Sequence, residues 1–318
     1  MALVQTQIDF EEKFATEADC IEYLRRRRWP EGFRCPRCGS TRAWQLRTRP
    51  LDQCASCGRQ VSLTAGTVFH GTRKPLRLWF RIMARFLSSK SGCSAMEISR
   101  VFGLRYETAW NWLHKLRSLM SRDGGVPLEG YIEADETVVG GRHPDVVGRQ
   151  LGGKKLLVLG AVEDKQKACG RIRLAVAAAA SQAVITAFMT RHVERGSHVR
   201  TDGWAGYTPL TKLGYDHSPV SLRMGAASPV EAERNAARRL PKIHRVFSLL
   251  KRLLLATYHG GVSRKHLQTY ADEFVFRFNR RASASRFLLF ERLASTAFRR
   301  APTNRQIVRR SPQLLVAA

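Results

Sequence analysis

The sequence predicts a multidomain chain: a small cysteine-paired module, a helical segment of helix-turn-helix character, and a mixed α/β domain. Three observations predict it. Four of the seven cysteines fall into two tight pairs, Cys35-Pro-Arg-Cys38 and Cys54-Ala-Ser-Cys57. From Pro75 to Met120 apolar residues recur at helical spacing. Beyond the turn-rich stretch Asp123-Gly124-Gly125-Val126-Pro127 the period shortens to that of strands.

Composition narrows the function. The 318 residues are 44% hydrophobic, enough for one or two packed cores with small modules appended. Lys and Arg number 54 against 26 Asp and Glu, a net charge of +28. The basic residues run from Arg25 to past Arg309 rather than forming one tail. Such an excess repels itself unless it meets a polyanion, so double-stranded DNA or another nucleic acid is the leading partner. An anionic membrane surface is the competitor. Against it, the sequence shows no apolar run near 20 residues, no signal peptide and no long basic amphipathic helix. A secreted disulfide scaffold is shorter and spreads its cysteines, whereas here Cys20, Cys93 and Cys169 stand isolated beside the two pairs. A cytoplasmic protein with a metal site is expected.

Residues 9–30 read as one amphipathic helix with Phe14, Cys20, Ile21 and Leu24 on its apolar side. Arg25-Arg26-Arg27-Arg28 ends it and Trp29-Pro30 stops it. The cysteine-paired segment, about 33–66, follows. Two thiolates three residues apart, on a turn closed by Gly39 or Gly58, grip one face of a tetrahedral ion, and the second pair supplies the other. The spacing C-x2-C-x15-C-x2-C reads as a closed structural zinc site of Cys35, Cys38, Cys54 and Cys57; two redox pairs are the alternative. Arg34, Arg37, Arg42, Arg47, Arg49 and Arg59 surround it, in keeping with phosphate contacts.

Leu76, Trp79, Phe80, Met83 and Leu87 mark a first helix, Met96, Ile98, Val101 and Phe102 a second, and Trp110, Leu113, Leu116 and Leu119 a third. The break at Gly103-Leu104 gives residues 94–117 their helix-turn-helix character. Arg105, Tyr106, Thr108 and Asn111 would then face a DNA groove while Ala109, Trp110 and Leu113 pack inward. A plain helical hairpin is the alternative.

In the last part, Tyr131–Asp135, Leu156–Val162, Ile172–Val176 and His198–Thr201 read as strands. Residues 181–194, 242–256 and 264–280 read as helices, Gly225–Leu240 as a loop with some helix, and the last ~20 residues as a loose basic tail. Asp135 ends one strand and is followed by Glu136; Asp202 ends another. Strand-end carboxylates can converge at one sheet edge and share divalent cations that support phosphodiester transfer. Each alone is more often a turn former or a helix cap.

These features come in an ordered set. Its members are Cys20-Ile-Glu-Tyr-Leu with Arg28-Trp-Pro-Glu-Gly-Phe-Arg-Cys-Pro-Arg-Cys-Gly39, then Leu63-Thr-Ala-Gly-Thr-Val-Phe-His70, then Ala109-Trp with His114-Lys-Leu-Arg117. Ala134-Asp-Glu-Thr-Val-Val-Gly-Gly141, Thr201-Asp-Gly-Trp-Ala-Gly-Tyr207, Leu240-Pro-Lys-Ile-His-Arg-Val-Phe-Ser-Leu-Leu-Lys251 and Glu273-Phe-Val-Phe-Arg-Phe-Asn-Arg-Arg281 follow. The set resembles the bacterial insertion-sequence transposases with an N-terminal zinc ribbon and a DDE-type, RNase-H-like catalytic domain, the ISXO2-like group, in the branch with His at the third catalytic position. The resemblance spans about Phe10 to Phe290.

The resemblance implies that Asp135 and Asp202 hold catalytic magnesium or manganese, that His244 completes the metal site, and that Lys251 contacts DNA. A neutral imidazole is a poorer Mg²⁺ partner than carboxylate oxygen, so Glu231 or Glu233 is the alternative third acid. It also implies binding of the element's terminal inverted repeats, strand cleavage and strand transfer, and a homo-oligomer on DNA, with no membrane role. The expected domains are residues 1–70 (helix and zinc ribbon), 71–122 (helical DNA-binding segment), 128–295 (RNase-H-like domain) and 296–318 (basic tail). The rival reading is a catalytically inactive DNA-binding protein derived from a transposase.

Overall fold

The computed structural model describes residues 6–46, 51–121, 125–140, 156–220, 235, 238–260 and 262–299. Its contacts form two compact units, one of Met1–Met120 with Ser283–Arg309, the other centred on Ser121–Ala282. Among the described residues no helix is long and apolar enough to cross a membrane.

In the first unit the single helix expected over 9–30 is two, α1 (Gln7–Lys13) and α2 (Glu17–Arg28). Each starts at a threonine, Thr6 or Thr16, whose hydroxyl accepts the N–H of an Asp three residues on while that Asp accepts the threonine's N–H. Reciprocal capping of this kind satisfies two backbone donors at each start, and it divides a pattern that apolar spacing alone reads as continuous. Three short strands, β1 (Ala43–Gln45), β2 (Leu51–Cys54) and β3 (Gln60–Ser62), form an antiparallel sheet in that order. Then come α3 (Leu76–Ser88), α4 (Ala95–Phe102) and α5 (Tyr106–Ser118). Glu17 accepts the N–H groups of Leu76 and Arg77 at 2.7 and 2.9 Å, capping α3, which opens on Pro75 and so has no side-chain cap of its own.

The arginine run closing α2 is largely consumed inside this unit. Arg25 pairs with the buried Asp52 at 3.0 Å, and Arg28 donates to the carbonyls of Leu63 and Ala65. Arg27 meets Glu291 and Ser295 of a last helix, α9 in the numbering used here, Arg286–Arg299. Phe287 and Phe290 of α9 enter an aromatic cluster with Phe10, Phe14, Tyr23 and Phe80. For this reason the stretch from Ser283 clusters with the first unit, although the α/β domain is expected to reach residue 295. The basic tail expected over 296–318 lies mostly outside the described residues.

The second unit is a five-stranded sheet in the order β6-β5-β4-β7-β8. Its strands are β4 (Tyr131–Val139), β5 (Leu156–Lys165), β6 (Ala168–Ala177), β7 (His198–Thr201) and β8 (Asp216–Pro219). β4, β5 and β6 are antiparallel neighbours; β7 joins β4 in parallel and β8 joins β7 in parallel. The first three strands run several residues beyond the expected ones: β4 continues through Thr137, Val138 and Val139, and β5 and β6 extend to their shared turn by pairing Asp164 with Cys169 and Lys165 with Ala168. One face, with Leu157, Leu159 and Ala161, packs on Ile185, Phe188 and Met189 of α6 (Gln182–His192). The other, with Leu156, Val158 and Val162, is covered by α7 (Pro241–Ala256) and α8 (Leu267–Phe278).

Phe290 is 1% exposed and its ring meets five other aromatic rings of the first unit. Phe290→Ala should therefore destabilise that unit by about 3–5 kcal/mol. Two-probe denaturant unfolding checks this. The transition reported by Trp79 and Trp112 should move, while the second unit's transition should not.

Candidate functional site

The four paired cysteines converge. Cys35 Sγ lies 3.6 Å from Cys57 Sγ, and Cys38 Sγ lies 3.5 Å from Cys54 Sγ. A tetrahedral zinc with Zn–S bonds of about 2.3 Å requires S···S separations near 3.8 Å, so the set fits this ion. Local backbone builds the two turns. Gly39 and Gly58 donate to the carbonyls of Cys35 and Cys54 with φ of 74° and 70°, a conformation glycine adopts without strain. Backbone N–H donors, Cys57 first, draw the Cys54 thiol down to about 6, which favours the thiolate a metal needs. Arg34, Arg37, Arg42 and Arg59 are exposed around this site; Arg47 and Arg49 lie outside the described residues.

α4 and α5 meet at a turn in which Gly103 takes φ 61°. Arg105 and Tyr106 are exposed, Thr108 half-buried, and Ala109 and Leu113 fully buried. Two side chains depart from expectation. Trp112, not Trp110, is the inward tryptophan of α5, stacked on Trp79 with ring centres 3.6 Å apart. The Oδ1 atom of Asn111 is buried rather than presented to solvent. Trp110 is half-buried, its ring tilted against that of His114 at 4.1 Å between centres.

In the second unit the strand alternation directs Glu133 and Asp135 to the α7 face, since Ile132 and Ala134 pack toward α6. Asp135 pairs in register with Gly160 of β5. A Cβ at Gly160 would lie 2.7 Å from Phe247 Cε1 and 2.9 Å from Ile243 Cδ1, so the bare glycine is what lets α7 approach the sheet. The expected apolar stripe of α7, Ile243, Val246, Phe247 and Leu250, is buried there. On the same helix the Nε2 atom of His244 stands 3.3 Å from Asp135 Oδ2. Lys251 is exposed, seven residues on.

Asp202 follows β7, in a turn where Gly203 has φ 74° and Trp204 N–H donates to Asp202 Oδ1 at 3.0 Å. Oxygens of Asp135, Glu136 and Asp202 all lie within 4.8 Å of one another. Such a cluster of hard oxygen donors suits a divalent cation of the magnesium class. Glu136 is a member that sequence reasoning left without a role. The signal that marks Glu136 in the sequence is its adjacency to Asp135. Tyr207 holds it, its hydroxyl donating to Glu136 Oε2 at 3.0 Å. Burial first, and then the carboxylates of Glu136, Asp135 and Asp202, push the Tyr207 phenol well above its usual range, so it remains a donor. Glu231 and Glu233, the alternative third acids, lie outside the described residues.

Residues 127–279 match the ISXO2-like transposase domain, and residues 15–60 match the transposase zinc-ribbon domain. A relative described as an uncharacterized protein in transposable element ISH50 of Halobacterium salinarum is 28% identical over 293 residues, 83% of this chain and 91% of the relative.

Metal analysis of the folded protein should find one zinc per chain bound by four sulfurs at about 2.3 Å in X-ray absorption. Cys54→Ser should release it, and a folded, zinc-free parent would exclude the site. In the second unit Gly160→Ala should cost about 1–3 kcal/mol by overpacking against Phe247. Thermal unfolding measures that cost.

Proposed function

We propose that this chain is a DDE-type DNA transposase: it binds the terminal inverted repeats of an insertion sequence, cleaves a strand at each end and joins the freed 3′-hydroxyls to target DNA. The observation carrying this reading is the convergence of Asp135, Glu136 and Asp202 with His244 beside them, on a five-stranded mixed sheet. The zinc ribbon and the net charge of +28 support DNA as the substrate.

Asp135 and Asp202, with Glu136, would hold magnesium or manganese. The bound cation would supply charge neutralisation at the scissile phosphate and lower the pKa of an attacking oxygen. His244, with its Nε2 3.3 Å from Asp135 Oδ2, completes the site beside that carboxylate. Lys251 is assigned to DNA phosphate. Tyr207 keeps Glu136 in place, and the Asp202 turn is set by its own backbone. The ribbon arginines, Arg37 among them, are assigned to phosphate contacts. The exposed start of α5, with Arg105, Tyr106 and Thr108, is assigned to a groove in helix-turn-helix fashion, with Asn111 at its edge. Two ends must be held together for joining, so a homo-oligomer on DNA is part of the reading.

A labelled duplex carrying inverted repeats from the DNA flanking the gene tests the proposal. With Mg²⁺ or Mn²⁺ the parent should nick it at the repeat end. Asp135→Ala, Asp202→Ala and His244→Ala should abolish nicking while leaving binding intact, and His244→Glu should retain Mg²⁺-dependent cleavage. A parent that binds but never nicks would instead establish a DNA-binding protein without catalysis.

Binding should also weaken steeply with salt, log K falling against log[salt] with a slope of several units, and Arg37→Ala or Arg105→Ala should make that slope shallower. Titration by fluorescence anisotropy at several salt concentrations reads it directly.

A further inference from the structure

We infer that Glu133 and Arg200 form a two-strand clamp on the start of α7, and that this clamp sets His244 against Asp135. Glu133 is wholly buried, and its Oε2 accepts the N–H groups of Lys242 and Ile243 at 2.8 and 3.0 Å. α7 begins at Pro241 after Leu240, which offers no side-chain cap. A helix start leaves its first N–H groups without intrahelical partners, and here a carboxylate from the sheet takes two of them. The very next residue is His244.

Arg200 completes the arrangement. Its guanidinium donates to the Arg239 carbonyl at 2.7 Å, gripping the chain just before the helix. Glu133 and Arg200 are register partners across the parallel pair β4 and β7. Each stands two residues before an aspartate of the site, Glu133 before Asp135 and Arg200 before Asp202. On β4 period-two alternation turns Glu133 to the same face as Asp135, while Arg200 sits one residue before the end of β7, just ahead of the Asp202 turn. The strands that carry the carboxylates thus also fix the helix that carries the imidazole. Sideways sliding of α7 is opposed by the clamp, and outward movement by the burial of the apolar stripe. Glu133 and Arg200 are positioning residues, since they act through the α7 backbone.

This inference rests on the transposase reading for its consequence in catalysis, but the clamp itself can be observed without DNA. The full chain is labelled with ¹³C-histidine, and the His244 ring signals are assigned by their loss in His244→Asn. Glu133→Ala removes the acceptor. Glu133→Asp keeps the charge but withdraws it by one methylene, and serves if the alanine variant fails to fold. Either should shift the His244 ring signals in the metal-free protein. Arg200→Met should shift them in the same direction. Glu133→Gln should restore them, because an amide oxygen can still accept both N–H groups.

On the repeat-end duplex with Mg²⁺, Glu133→Ala and Glu133→Asp should lower kcat by roughly 10–100-fold, as loss of a group supporting a metal ligand does, with KM and end binding little changed. Glu133→Gln should recover most of the rate. Parental His244 signals in both Glu133→Asp and Glu133→Ala would overturn the clamp whether or not the parent cleaves DNA. Shifted signals in a chain whose parent never nicks would uphold the clamp and remove the transposase reading.

Discussion

The docking of α7 onto the sheet is the constraint on which the second unit depends. Three carboxylates lie within 4.8 Å of one another, and such a cluster does not hold itself together. At an effective dielectric near 20, two unit charges ~5 Å apart repel by about 3 kcal/mol. The restoring force comes from elsewhere. Ile243, Val246, Phe247 and Leu250 are buried against Leu156, Val158 and Val162, each such side chain contributing about 1.5–3 kcal/mol. Gly160 allows the close approach and Glu133 satisfies the helix start. Apolar burial thus offsets the repulsion that the chemistry demands, and a bound cation would relieve what remains.

The same economy governs the first unit, where charge divides between structure and surface. All four arginines closing α2 reach partners within the unit: Asp52 for Arg25, Glu22 for Arg26, Glu291 for Arg27 and backbone carbonyls for Arg28. These residues do not belong to a free basic patch, although the sequence displays them as one. Exposed basic residues include Arg34, Arg37, Arg42 and Arg59 around the cysteine cluster and Arg105 at the start of α5. Similarity over residues 15–60 to a transposase zinc ribbon is consistent with that ring of exposed arginines facing nucleic acid.

Aromatic packing explains why the chain returns to its beginning. Phe10, Phe14, Tyr23 and Phe80 lie on three helices and leave an apolar surface that α9 closes with Phe287 and Phe290. α9 therefore contributes to a core begun some 270 residues earlier in the chain.

What the sequence by itself determined is what depends on short-range spacing. The cysteine pairs, the turn glycines beside them, the positions of the strands and the buried stripe of α7 follow from periods of two, three and 3.6, and each is local. Asp135, Asp202 and His244 are candidates that the blocks around them single out, and the structure places Asp135 near both of the others. Tertiary structure alone decided how distant residues share one space. Asp135, expected to end a strand, lies in the middle of β4, and Glu136 joins the carboxylates because that part of β4 lies beside the Asp202 turn, with Tyr207 reaching it from a segment 71 residues away. Trp112 replaces Trp110 as the inward ring because Trp79 of another helix offers a stacking face. Glu133 caps α7 across 109 residues. In each case the deciding partner is remote, and sequence periodicity carries no information about which remote surface a side chain will meet.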